Sequence, residues 1–288
     1  MIKYAIQDID DDDIEAVVSA LKGEFITQGP KLLEFESKVA KKVSAKFSIA
    51  TNSATSALHL SCMALGLEKG DIVWTSPISF VASANCALYC GAEVDFVDID
   101  PNTSLMCVET LKRKLIKAEK TGQLPKILIP VHLAGTSCDM KEIKKLSNKY
   151  GFLIIEDASH AIGAKYLDEP VGNCKYSDIT IFSFHPVKII TTIEGGMIST
   201  DNEEIYEFAR MFRSHGMTRE ASPETQAKYA KPDVNPLFTF AVPGYNMRST
   251  ELNAVLGLEQ INRLDANISA RQNNLDAWLS SLDSEKYF

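Results

Sequence analysis

A lysine flanked by apolar residues is the most chemically pointed feature of the sequence: Lys188, within Phe182-Ser183-Phe184-His185-Pro186-Val187-Lys188-Ile189-Ile190. An ammonium is costly to bury and normally reaches out to water. Held among apolar groups it gives up its proton more easily, and the neutral amine that Schiff-base chemistry requires becomes accessible near neutral pH. Alone, the segment reads equally well as a strand end followed by a loop lysine. The rest of the chain has to decide between the two.

Three further groups bear on that choice. Thr51-Asn52-Ser53-Ala54-Thr55-Ser56-Ala57 follows a β-rich run and opens a helical one, so unpaired backbone N–H groups and the helix dipole would favour an anion such as a phosphate there. An ordinary Ser or Thr cap uses the same residues. Phe152-Leu153-Ile154-Ile155-Glu156-Asp157-Ala158-Ser159-His160 sets two carboxylates at the end of an apolar strand; strand alternation favours Asp157 as the one facing a site, with a helix cap as its structural alternative. His160 alone reads as a satisfied, partly buried imidazole. Together, an anion cradle at Ser53 to Ser56, a carboxylate at Asp157 and an amine at Lys188 are the three things a pyridoxal phosphate site demands. Phe80 could stack on a planar ring or belong to the core. The Ser183 hydroxyl could reach a phosphate, and the His185 imidazole could touch substrate. No G-x-G-x-x-G or G-x-x-x-x-G-K-[ST] pattern occurs, which removes the main support for dinucleotide or P-loop chemistry.

These groups need a scaffold, and the patterning supplies one. Short β-rich runs at 47–50, 72–75, 93–98, 127–131, 152–156, 179–184 and 197–200 alternate with helical patterns at 54–65, 81–90, 108–119, 140–150 and 203–213. Such alternation predicts an α/β fold with a mostly parallel sheet sandwiched by helices, and ligands in such folds bind where strands end. Two earlier helices, within 10–44, are expected to pack outside the sheet. The stretch 221–244 carries Pro223, Pro232, Pro236 and Pro243 and reads as a long irregular excursion. Leu252, Val255, Leu256, Leu258, Ile261, Leu264 and Ile268 then predict one helix running toward Trp278.

Composition bounds the rest. The 288 residues are 45% hydrophobic and 24% charged, ordinary for a soluble globular chain, and the formal net charge of −8 argues against nucleic acid or an anionic membrane as partner. Any anionic ligand must be captured locally. Cys62, Cys86, Cys90, Cys107, Cys138 and Cys174 form no C-x-x-C pair or zinc-like spacing, so reduced thiols and a cytoplasmic location are expected. Met1-Ile2-Lys3-Tyr4 lacks the apolar core of a signal peptide, and no apolar run approaches the ~18 residues of a membrane span. Asp10-Asp11-Asp12-Asp13 lacks the glycine and distal Glu of a calcium loop, so it is read as a helix cap and no metal site is expected.

Several motifs in order carry a family resemblance: Thr27-Gln28-Gly29-Pro30, Asn52-Ser53-Ala54-Thr55-Ser56-Ala57, Glu156-Asp157-Ala158-Ser159-His160, the run Phe182 to Lys188, Glu194-Gly195-Gly196 and Gly244-Tyr245-Asn246-Met247-Arg248. The chain resembles the sugar-nucleotide aminotransferases of the DegT/DnrJ/EryC1/StrS family from about Ile6 onward. The resemblance implies a fold type I pyridoxal-phosphate-dependent transferase. It implies that Lys188 forms the Schiff base with pyridoxal 5'-phosphate and shuttles the reaction's proton, and that Asp157 keeps the ring nitrogen protonated. It implies phosphate contacts from Ser53, Ala54, Thr55 and Ser183, stacking by Phe80, and His160 near the ring hydroxyl. Thr27, His185, Glu194 and Arg248 would bind substrate. Asn246, implied to bind the cofactor, and Arg248 match residues that reach into a neighbouring subunit's site, so a homodimer with shared active sites is implied.

Within the family, His185-Pro186-Val187-Lys188, Thr191-Thr192 and Arg213-Ser214-His215-Gly216 are most similar to the branch acting in pseudaminic acid-type synthesis. That branch aminates C4 of a UDP-linked 4-keto-6-deoxy-N-acetylhexosamine using L-glutamate. Family dehydratases resemble this chain but carry histidine where Lys188 stands. Family members also continue through a small C-terminal domain. The expected division is therefore a large cofactor-binding domain, 1–248, and a segment, 249–288, that begins a second domain largely missing from the sequence. A chain that binds the cofactor, the sugar nucleotide or a partner without turnover is the alternative.

Overall fold

The computed structural model describes residues 6–283 and Lys286; Met1 to Tyr4, read above for targeting, lie outside the described residues, as does Phe288. In chain order the elements are α1 (Asp11–Lys22), α2 (Pro30–Val43), β1 (Phe47–Thr51), α3 (Ala54–Ala64), β2 (Ile72–Thr75), α4 (Ala82–Tyr89), β3 (Glu93–Phe96) and α5 (Val108–Thr121). There follow β4 (Ile127–Ile129), α6 (Met140–Tyr150), β5 (Leu153–Asp157), a hairpin of β6 (Lys165–Tyr166) and β7 (Glu169–Pro170), β8 (Ile179–Ser183) and β9 (Gly196–Thr200). The chain continues with α7 (Glu203–Arg213), α8 (Pro223–Tyr229), α9 (Glu251–Asn262) and α10 (Leu264–Ser281).

Seven strands form one sheet in the order β1-β9-β8-β5-β4-β2-β3. Every pairing is parallel except those of β9, which runs antiparallel to both β1 and β8. The sheet is therefore the mostly parallel one that the alternation of elements predicts. The reversal of β9 has a consequence for the site. Gly196, its first residue, lies opposite both Thr51 and Ser183, the last residues of β1 and β8. Three chain segments thus meet at one edge of the sheet.

Both faces of the central strands are covered, which is why β4, β5 and β8 are largely apolar and buried rather than alternating, whereas the edge strand β3 (Glu93–Phe96) is mostly exposed. On one side Ile155, Ile181 and Ile198 pack with Ala57 and Leu58 of α3. On the other, Phe182 and Met197 pack with Phe35 and Val39 of α2 and Ala254 and Leu258 of α9. A third cluster joins Trp74, Leu128 and Ile154 to Leu111, Leu115 and Ile143 of α5 and α6.

The amino-terminal acidic block caps α1: the Asp10 carboxylate accepts from Asp13 N–H at 3.0 Å and the Asp13 carboxylate accepts from Asp10 N–H at 3.1 Å. Asp13 is buried and paired with Arg263. Two expectations need correction. The single helix foreseen after residue 249 is two, because the backbone breaks at Arg263, which ends α9 and precedes α10. The excursion 221–244 is not wholly irregular, since Ser222 caps α8 by accepting from Thr225 N–H and Pro223 occupies its first turn. The hairpin of β6 and β7 was too short to leave a sequence pattern.

Candidate active site

Lys188 sits on the loop between β8 and β9, and that loop is pinned at both ends. Phe184 N–H donates to Gly195 O at 2.9 Å, Thr192 N–H to Phe184 O at 2.9 Å, and Lys188 N–H to His185 O at 2.8 Å. From beneath, the Asn253 amide of α9 donates to Thr192 O at 2.6 Å, and the Gln260 amide oxygen accepts from Thr191 N–H at 3.3 Å. Thr191 Oγ1 also accepts from Ile193 N–H, whose residue holds a left-handed φ of 70°; a β-branched residue there is strained.

A cavity of about 390 Å³ opens at this edge, and its walls include Ser53, Ala54, Thr55, Phe80, Asp157, His160, Ser183, His185, Lys188 and Glu194. Ten residues singled out from sequence therefore meet at one place. Asp157 and Ser183 are buried in its floor, 5% and 6% exposed. Phe80 stands at the rim, 74% exposed, its ring open to whatever occupies the cavity. His185 and Glu194 lie 4.0 Å apart at the mouth. Thr27, Asn246 and Arg248 do not line this cavity. Thr27 lies exposed before α2, Asn246 is exposed beyond α8, and Arg248 pairs its backbone with Thr51.

One end of the cavity offers unfilled hydrogen-bonding capacity. Ser53 Oγ accepts from Ser56 N–H at 3.1 Å, and Ser53 O accepts from Ala57 N–H at 3.0 Å. That accounts for the third and fourth donors of α3; among the described residues nothing accepts from the N–H groups of Ala54 and Thr55, which lie in the cavity wall. A Cβ on Gly196 would come within 2.5 Å of Ala54 N, so only glycine lets β9 close so tightly beneath this turn. Two free helix donors, a buried hydroxyl and a carboxylate across the cavity fit the chemistry of pyridoxal phosphate.

Charges in the cavity are tuned by burial. The Lys188 amine is half-buried, and desolvation pulls its pKa below the ordinary 10.5, against the smaller opposing pull of Asp157. His160 is likewise lowered, first by burial and then by Lys188. Its Nδ1 accepts from Ala134 N–H at 3.2 Å, which makes it the neutral Nε2–H tautomer.

Two partners were missed from sequence. His132 is fully buried in the cavity wall, and its Nε2 lies 2.7 Å from Glu156 Oε2. Burial favours the neutral ring, but the contacts with Cys138 and Glu156 outweigh it and push the pKa up to about 10; the geometry at Nδ1 argues against the charged form. Cys138 N–H points at Nδ1 from 3.3 Å, leaving that atom no place for a second proton, so His132 is read as donating Nε2–H to Glu156. Ser83 is the other, 2.6 Å from Asp157 Oδ2. His132 follows an apolar strand run as Asp157 does, and the same rule would have found it; nothing in the sequence marks Ser83.

The model of the DegT/DnrJ/EryC1/StrS aminotransferase family matches residues 7–288. The chain belongs to that family. It is 38% identical, over all of its 288 residues and 71% of the relative's length, to UDP-4-amino-4,6-dideoxy-N-acetyl-beta-L-altrosamine transaminase from Campylobacter jejuni. Among solved structures it resembles PseC of Helicobacter pylori, an aminotransferase of pseudoaminic acid biosynthesis, at TM-score 0.79 and 32% identity, covering 91% of this chain and 66% of that one. It also resembles the pyridoxal-phosphate form of a sugar aminotransferase from Streptococcus pneumoniae, at TM-score 0.82 and 27% identity, covering 97% and 71%. Membership in the DegT/DnrJ/EryC1/StrS family makes this a fold type I, pyridoxal-phosphate-dependent aminotransferase.

Proposed function

We propose that the protein transfers the amino group of L-glutamate to C4 of a UDP-linked 4-keto-6-deoxy-N-acetylhexosamine, in a pathway of the pseudaminic acid type. The observation that carries the reading is the meeting, around one cavity, of the free Ala54 and Thr55 N–H groups, the Asp157 carboxylate and the Lys188 amine. The bound cofactor would supply an electron sink for the carbanion formed at the amino donor. Ala54, Thr55 and Ser183 would hold its phosphate, and Asp157 would hold a proton on the ring nitrogen. Lys188 Nζ would accept the proton lost from the donor's α-carbon and return it at the far side of the transfer. Phe80 would cover the ring, and neutral His160 would donate Nε2–H toward it. The Campylobacter and Helicobacter likenesses support the choice of sugar nucleotide.

Asn246 and Arg248 lie away from this chain's own cavity, so in this reading they complete the site of a second copy, and the working form is a homodimer. Six free cysteines are consistent with a cytoplasmic setting. Among the described residues no helix is long and apolar enough to cross a membrane.

The two half-reactions can be followed separately. Protein loaded with pyridoxal phosphate should lose its visible absorbance band on adding L-glutamate and regain it on adding the 4-keto UDP-sugar. Absence of any protein-bound band would remove the enzyme reading; a band bleached by glutamate but restored better by a GDP-linked sugar would leave the chemistry and overturn the substrate.

A further inference from the structure

We propose that Ser83 is a positioning residue that aims the Asp157 carboxylate, so that the turn presenting Phe80 to the cofactor also orients the group opposite its ring nitrogen. The proposal rests on the cofactor reading above. Ser83 is the second residue of α4, 1% exposed, and does not itself line the cavity. Its Oγ lies 2.6 Å from Asp157 Oδ2 and 2.9 Å from Ser79 Oγ.

Chemistry fixes the direction of both bonds. An ionised carboxylate can only accept, so the single Ser83 hydroxyl proton goes to Asp157, and Ser83 Oγ is left to accept from the Ser79 hydroxyl, whose other acceptor, Phe80 O, lies farther off at 3.2 Å. Asp157 Oδ1 accepts from Ser159 N–H at 3.2 Å. Both carboxylate oxygens are thereby held, one from α4 and one from the residue's own loop, and each keeps a lone pair for the cavity.

Backbone bonds cannot do this work. Asp157 N–H donates to Pro130 O and Asp157 O accepts from His132 N–H, each at 3.0 Å, which fixes where the side chain begins. The terminal torsion of an aspartate is broad, however, and its plane has to be set by partners of the oxygens. Ser83 and Ser159 are those partners among the described residues. Ser79 and Phe80, in the turn that leads through Val81 into α4, line the cavity. Movement of this turn therefore shifts the stacking ring and the carboxylate's anchor together.

The test uses cofactor binding by the apoprotein, read by visible titration with pyridoxal phosphate alone. Ser83→Ala should raise the dissociation constant about tenfold, the usual effect of losing a hydrogen bond to a charged group, and Ser83→Thr should restore it. In an Asp157→Ala background, Ser83→Ala should change nothing further, because its partner is gone. A Ser83→Ala protein within about twofold of wild type, or one weakened equally whether or not Asp157 is present, overturns the proposal while leaving the functional reading intact. Wild-type protein that takes up no cofactor overturns the functional reading, and the proposal falls with it.

Discussion

At Lys188 the sequence and the structure pose the same question, since an amine useful to a Schiff base must be neutral. Its half-burial lowers the pKa from the ordinary 10.5, so the rate of cofactor capture should rise with pH about an apparent pKa below that value. The same shift bears on stability. Between the depressed folded value and 10.5 the unfolded chain binds more protons than the folded one, so the apoprotein should gain stability as pH rises through that interval. Urea midpoints of wild type and Lys188→Met compared across pH would check this: the difference should narrow toward high pH, and a constant difference would mean the amine is not desolvated. Lys188→Ala should also lose the borohydride-reducible attachment of the cofactor. A covalent adduct in that variant would assign the chemistry to another lysine.

At the scale of elements, β5 divides two tasks between adjacent residues. Asp157 faces the cavity, while Glu156 turns the other way and ties together the ends of β4 and β8. Its Oε2 takes the His132 proton at 2.7 Å and its Oε1 the Ser177 hydroxyl at 2.5 Å. Glu156→Ala would leave the buried His132 Nε2–H without its acceptor and Ser177 with only the 3.4 Å contact to Thr180 Oγ1, and should destabilise the protein by about 2 kcal/mol, measurable as a lowered urea midpoint; Glu156→Gln, which keeps an acceptor oxygen, should cost much less. A Glu156→Ala protein as stable as wild type would show that β5 is held by its backbone ladder alone. The strands themselves were legible because buried parallel strands must be apolar, and the alternation that separated Asp157 from Glu156 follows from the pleat. The reversed direction of β9 was not legible, since a short buried run of five residues looks the same in either direction. The break at Arg263 escaped for a similar reason: apolar spacing carries on from Ile261 through Leu264 to Ile268 across it. Ser83 could not be found because its role depends on a partner 74 positions away.

At the scale of the whole molecule, a second copy would account for Asn246 and Arg248 standing apart from the cavity. A chain with net charge −8 has to gather cations locally for an anionic substrate, yet the cofactor cavity contains no arginine among its walls. Arg248 is partly buried, and its Nη1 lacks a protein partner. Close by in the fold, α4 and the turn before it present Ile78, Phe80, Val81, Leu88 and Tyr89 to solvent, each 49% exposed or more. Beneath that surface the buried His59 ring packs 5.3 Å from Tyr89 and 5.0 Å from the exposed Tyr245, the residue before Asn246. A second copy seated there would cover the face and bring Asn246 and Arg248 toward its partner's cavity. Shared sites make a sharp prediction. Lys188→Ala and Arg248→Ala homodimers should each be inactive, but co-expressed or refolded together they should form heterodimers in which one site carries both lesions and the other neither. With random assortment about half the dimers are mixed and half their sites are intact, so activity should return to about a quarter of wild type. If each chain instead serves only its own cavity, every site in the mixture carries one lesion and no activity returns, whatever the oligomeric state measured by light scattering.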